Sequence, residues 1–197
     1  FKGYITRFIK EVEYSEEALN QLWIEFIKYR IIYDFEYWTY SFIFIKDKVS
    51  PKDIPFKLNR AQRRVLNKLE KLRKAGKPIK FILLKARQWG GSTLVQIYML
   101  WIMLVHRRNW NTVICGDVET QSRNVRAMIT KALNKYPSYL LGETVKFTPF
   151  EGSSKNKVIQ NTNCVVSIGS FQKPDTLRSG DISGAHLTEI GLWRATP

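Results

Sequence analysis

The sequence predicts an α/β layered fold with a largely parallel central sheet flanked by helices, and three observations carry that prediction. Strand-like and helix-like segments alternate from about residue 59 onward. The strand-like segments, "IKFILL" (79–84) and "NTVICG" (111–116) among them, are apolar almost throughout, as strands covered on both faces are. Between the first of these and the next helix stands a glycine turn, "RQWGGST" (87–93), which joins the end of a strand to the start of a helix.

Each element has its own signal. Residues 15–32 read as a helix: Ser15 caps it, Glu16 and Glu17 suit its positive end, and Leu19, Leu22, Trp23, Phe26, Ile27 and Arg30 recur at helical spacing. The aromatic run 33–45 is core or a docking face, and 46–56, with Pro51 and Pro55, is a linker. In "NRAQRRVLNKLEKLRKAG" (59–76), Asn59 caps a helix, Gln62 completes a capping box and Gly76 stops it. Helices follow over about 92–106 and 118–136, the latter ended by Pro137, with the strand 111–116 between them. Weaker strands fall near 145–149, 157–160 and 163–168, where an antiparallel hairpin addition is compatible with the pattern. A polar loop (169–184) leads to a last apolar strand, "AHLTEI" (185–190).

Composition narrows the function classes. At 197 residues and 44 % hydrophobic, the chain has enough apolar sequence for a sizeable core. No run approaches the ~18 apolar residues of a membrane helix. The chain opens on Phe1 and carries no cleavage-site pattern, so it reads as a fragment without a targeting signal. Lys and Arg outnumber Asp and Glu by 32 to 17, a net charge of +15. That surplus points to a polyanionic partner, nucleic acid first, against the alternative of a merely solvated basic surface. Cys115 and Cys164 read as free buried thiols of a cytoplasmic protein, and neither has the neighbours of a metal site. His106 and His186 read as structural.

The glycine turn has the outline of a phosphate-binding loop. In the pattern G-x-x-x-x-G-K-[ST], backbone N–H groups wrap the phosphates, the lysine neutralises them and the hydroxyl serves Mg²⁺. Laid on 85–92, the pattern places Lys85 at its start, Gly90 at its second glycine, Gly91 where the lysine belongs and Ser92 at the hydroxyl. The backbone requirement is met and the lysine is displaced, with Lys85 and Arg87 left to supply charge from the front of the loop. A purely structural strand–turn–helix is the alternative. Gln62 has both a donor and an acceptor for an adenine edge, or it is simply part of the helix cap. "AHLTEI" ends in Glu189, which presents a carboxylate to an attacking water or is a solvated strand-end acid.

The segments "FKLNRAQ", "LLKARQWGGST", "VICGDVETQSRNV", "TLRSG" and "AHLTEIGLW", in this order over about residues 50–197, resemble the ATPase half of the large terminase subunit of tailed double-stranded DNA bacteriophages. The resemblance implies a RecA-like (ASCE) P-loop NTPase fold over 51–197, incomplete at its C-terminus, preceded by a helical and aromatic segment over 1–50. It implies an ATP-hydrolysing, DNA-packaging motor with Mg²⁺ as cofactor, and nuclease activity only in a further domain. The implied partners are double-stranded DNA, the portal protein, a small terminase subunit and further copies in a ring, with no membrane. The implied location is the host cytoplasm, at the portal vertex of the procapsid. Two residues depart from the family pattern. Gly91 stands for the lysine, although some members carry a lysine at the loop's start, and Thr188 stands for the Walker B aspartate.

On this resemblance Gln62 contacts adenine, Lys85 and Arg87 take the β- and γ-phosphates, and Gln88, Gly90, Gly91 and Thr93 complete the nucleotide loop. Ser92 holds Mg²⁺, with Glu189 or Thr188 acting through water. Glu189 orients the attacking water, and Arg178 reaches a neighbouring subunit as an arginine finger, unless it is a loop ion pair; Lys173 is a weaker candidate. The basic helix 60–74 either is a solvated face or lines a DNA path. Two other functions fit parts of the pattern: a superfamily 2 helicase fragment, and a non-catalytic basic DNA-binding module with a degenerate nucleotide pocket.

Overall fold

The computed structural model describes residues 15–47, 50–84, 89–173 and 181–193. Helix α1 spans Glu16–Tyr33, capped by the Ser15 side chain, which accepts from the Ala18 N–H. Of its predicted apolar stripe only the later turns are covered: Ile27 and Ile31 are buried, whereas Leu22 and Trp23 are exposed. Helix α2 (Phe35–Phe42) follows at once, and Phe35, Trp38, Thr39 and Phe42 are buried. The aromatic run is therefore core through Phe35, Trp38 and Phe42, with Tyr33 and Tyr40 exposed. The end of the aromatic run and the predicted linker form a small antiparallel pair, β1 (Phe44–Lys46) with β2 (Asp53–Pro55).

Helix α3 (Arg60–Lys74) carries the predicted capping box, with Asn59 Oδ1 accepting from the Gln62 N–H and Gln62 Oε1 accepting from the Asn59 N–H. Helix α4 (Gly91–Trp101) continues as a π-helical turn over Ile102–His106. Strand β3 (Thr112–Gly116) is buried at every position, and α5 (Glu119–Leu133) follows it. Then come β4 (Phe147–Phe150), β5 (Ser153–Ile159), β6 (Cys164–Ser170) and β7 (Gly184–Leu187).

These last strands and β3 form one five-stranded sheet in the order β4-β5-β6-β3-β7. Strand β3 pairs in parallel with both β6 and β7, while β4, β5 and β6 are joined antiparallel. The sheet is thus mixed, its parallel part confined to β6, β3 and β7. The antiparallel addition falls where the weak strand signals stood.

The expected strand "IKFILL" is absent from the sheet. Residues 79–84 have no strand structure; Ile82 is 93 % and Leu84 100 % exposed. Apolar composition alone does not make a strand, because each backbone group needs a neighbour to bond, and β7 ends the described sheet with an open edge.

One hydrophobic cluster unites the layers, joining Ile27, Ile31, Phe35 and Trp38 to Leu66, Ile97, Trp101, Ile114, Ile129 and Ile168. Phe35 packs edge-on against Tyr98 and Trp101, and the Trp101 indole donates to the Ile31 carbonyl. The Trp38 indole donates to the Tyr136 hydroxyl, whose pKa burial pushes up. Cys115 and Cys164 are buried free thiols, and burial raises the Cys115 pKa. Burial holds His106 down to about 4, so the ring is neutral at pH 7 and packs edge-on against Trp101. His186, in β7, is joined to buried Gln96 of α4. Both histidines have structural surroundings, as expected.

Candidate nucleotide-binding site

The site is built around the turn that opens α4. Gly90 is its N-cap and sits at φ 83°, ψ 24°, in the left-handed region that glycine enters without strain. Its place is also crowded: a Cβ added there would meet Gln62 Nε2 at 2.7 Å. The Gly90 carbonyl accepts from the Leu94 N–H that starts the helical ladder and from Gln62 Nε2 at 3.0 Å. One residue earlier, the Trp89 carbonyl accepts from Asn59 Nδ2 at 3.1 Å. The two side chains of the α3 capping box thus also hold consecutive carbonyls of the turn.

A second attachment fixes α3 to α4 farther along. Tyr98 donates its hydroxyl to Glu70, and Arg73 donates two hydrogen bonds to the same carboxylate. Burial would raise the Glu70 carboxyl, but the bonds from Arg73 and Tyr98 prevail and hold it below its usual range. Burial and the Glu70 charge push the Tyr98 hydroxyl well above its usual value.

Register shows which end of the sheet the turn faces. Met103, just past α4, lies beside Thr112 at the start of β3, whose hydroxyl donates to its sulfur. Gln96 lies level with His186, which pairs with Ile114 in the middle of β3. Helix α4 therefore runs antiparallel to the strands, and its first residues lie toward their carboxyl ends. Ser92 is about 6 Å farther along α4 than Gln96, and Glu189 about 10 Å farther along the β7 direction than His186. Both lie at the carboxyl end, where open α/β sheets bind ligands.

Around this end stand most of the described residues the sequence singled out. Gly91 is buried in the first turn of α4, with Ser92 and Thr93 half-buried beside it. The first N–H groups of a helix have no carbonyl partners within it and attract anions. The Trp89 indole N–H is buried and has no hydrogen-bond partner. Thr188 is buried, and its backbone N–H donates to Cys115, extending the β7 ladder by one bond. Glu189 is exposed, at φ 57° and ψ 37°, and its Oε2 accepts from Gln121 Nε2 at 2.9 Å. Lys173 lies just beyond β6, its N–H donating to Ser170. Lys85, Arg87, Gln88 and Arg178 lie outside the described residues. Gln62 is at the turn, but both ends of its amide are engaged, one by the cap and one by Gly90.

Sequence reasoning missed the polar pairs Gln96–His186, which ties α4 to β7, and Gln121–Glu189, which ties α5 to the segment just after β7. The mid-helix glutamine of an otherwise apolar α4 was the available signal for the first. Nothing in the local pattern around Gln121 marks the second.

No family model and no curated protein matches the sequence. Among solved structures, the crystal structure of the bacteriophage HK97 large terminase resembles this chain with a TM-score of 0.54 at 20 % identity, over 73 % of this chain and 27 % of that one. The chain carries a terminase-like α/β fold. The similarity is one of fold, and it spans a minor part of the neighbour's length. No helix among the described residues is long and apolar enough to cross a membrane.

Proposed function

We propose that the chain is the ATPase part of a viral DNA-packaging motor of the terminase kind, converting ATP hydrolysis into movement of double-stranded DNA. The observation that supports this reading is that the glycine turn at Gly90 and Glu189 both lie toward the carboxyl end of the parallel strands, on a terminase-like fold.

The residues suit the nucleotide and its metal. A glycine turn opening a helix whose first N–H groups have no partner within the helix suits a phosphate group. The described residues contain no group of three or more His, Cys, Asp or Glu placed to hold a metal. A cation there draws on Ser92, Glu189 and phosphate or water oxygens, which is the habit of Mg²⁺. When bound, Mg²⁺ would neutralise the charge that develops on the phosphate oxygens during hydrolysis. Thr188 offers a hydroxyl in the Walker B position and no charge.

The roles then follow from chemistry. The N–H groups of Gly91, Ser92 and Thr93 hold phosphate oxygens, with Lys85, Arg87 and Gln88 completing the front of the loop. Glu189 orients the attacking water and receives its proton. Arg178 supplies positive charge to a neighbouring subunit's site in a ring. Gln62 either turns its amide to adenine on binding or remains the brace of the turn. DNA, portal protein, small terminase subunit and the portal vertex in the host cytoplasm complete the proposal.

The test is steady-state hydrolysis and ATP binding by the full chain with DNA present. Glu189→Gln is expected to keep ATP affinity and lose a hundredfold or more in turnover, since a positioned base contributes on the order of 10²–10⁴. Lys85→Ala and Arg87→Ala are expected to lose affinity. Unchanged turnover in all three rejects the assignment, and DNA binding without any ATP affinity favours the basic-module alternative.

A further inference from the structure

Gln121 has no part in the roles above, yet its side chain spans two groups at the carboxyl end of the sheet. Its Oε1 accepts from the Asp117 N–H at 3.1 Å, and its Nε2 donates to Glu189 Oε2 at 2.9 Å. The base of this bridge is firmly placed. Gln121 is the third residue of α5, and Ser122 beside it is fully buried, accepting from the Gly116 N–H and donating to the Gly169 carbonyl. The start of α5 is thereby fastened to the ends of β3 and β6 together. Gly116 leaves room for the bridge, since a Cβ there would meet Gln121 Cβ and Oε1 at 3.1 Å.

The far end of the bridge needs support. Glu189 follows the last paired residues of β7, is exposed, and adopts the left-handed backbone that non-glycine residues seldom enter. An exposed glutamate on such a backbone has many rotamers, and a carboxylate that orients water needs one. We infer that Gln121 is the positioning residue for Glu189: it pins Oε2 to the rigid start of α5 and leaves Oε1 for the water. The inference rests on the hydrolytic reading of Glu189. It also accounts for the residue type. The bridge needs an acceptor at one end and a donor at the other, and a side-chain amide supplies both.

Two substitutions test it in the full chain with DNA present. Gln121→Glu keeps the length and an acceptor for the Asp117 N–H, but sets a carboxylate against Glu189. Gln121→Met keeps the bulk and removes both polar ends. Each is expected to lower kcat at least tenfold, with KM for ATP and ATP affinity within twofold of wild type and the thermal midpoint nearly unchanged. Should Gln121→Glu fail to fold, Gln121→Met decides. Turnover within twofold of wild type, or faster, in a folded variant overturns the positioning role. So does a loss of ATP affinity that matches the loss of kcat, which marks a general structural defect. Glu189→Gln, run alongside, separates the two failures: if it retains turnover, the hydrolytic reading itself is wrong.

Discussion

Gln62 and Gly90 are packed closely at the turn. The amide nitrogen of Gln62 occupies the space a Gly90 side chain would need, and Gly90 holds a positive φ that only glycine adopts freely. Gly90→Ala is therefore expected to destabilise the chain by about 1–3 kcal/mol from backbone strain and displacement of the amide. Urea unfolding of Gly90→Ala in wild-type and Gln62→Ala backgrounds separates the two causes. A smaller penalty in the Gln62→Ala background is the predicted coupling; equal penalties leave φ strain as the sole cause. The capping role of Gln62 was legible from its spacing to Asn59, because a capping box is a local arrangement. Its bond to Gly90 was not, since the two residues meet only once α3 is packed against the turn.

Among the elements, α3 shows what local pattern reveals and where it stops. Its buried residues Gln62, Val65, Leu66 and Leu69 fall on one face. Arg60, Arg64, Lys68, Lys71 and Lys74 fall on the opposite one, within about 120° of arc at 100° per residue. All five are exposed, and the ion pairs on this helix fall instead on Arg63, with Glu36, and Arg73, with Glu70. Such a stripe suits the phosphate backbone of DNA, without sequence preference. Replacing Arg64, Lys68 and Lys71 together by alanine is expected to weaken DNA binding equally across sequences. It should also reduce the slope of log K against log salt by about 3, since each phosphate contact contributes about 0.9. An unchanged slope in fluorescence titrations assigns the stripe to solvent.

The helices α1, α3 and α5 and the buried strand β3 were legible because caps, spacing and continuous apolarity are local signals. The segment 79–84 was misread, because an apolar run is a local signal whereas strand pairing is decided by a neighbour, and among the described residues this segment pairs with no strand.

Across the whole molecule, the aromatic segment and the α/β layers share one core through Phe35, Trp38, Tyr98 and Trp101. That union was hidden in the sequence, where the run 33–45 gave no sign of what it would pack against. The mixed sheet has a similar cause. The parallel strands β3 and β6 have apolar sequences that announce burial; β7, at the edge, buries only His186, and β4 and β5 are half-exposed and carry polar residues such as Ser154, Lys155 and Asn156. The α4 turn and the residue after β7 lie toward one end of the sheet. A structure of the full chain with a non-hydrolysable ATP analogue and Mg²⁺ tests this most directly. The expected result is phosphate oxygens within about 3 Å of the Gly91, Ser92 and Thr93 amides, with the Glu189 carboxylate turned toward the terminal phosphate. A nucleotide bound elsewhere, or phosphates that leave those amides untouched, contradicts it.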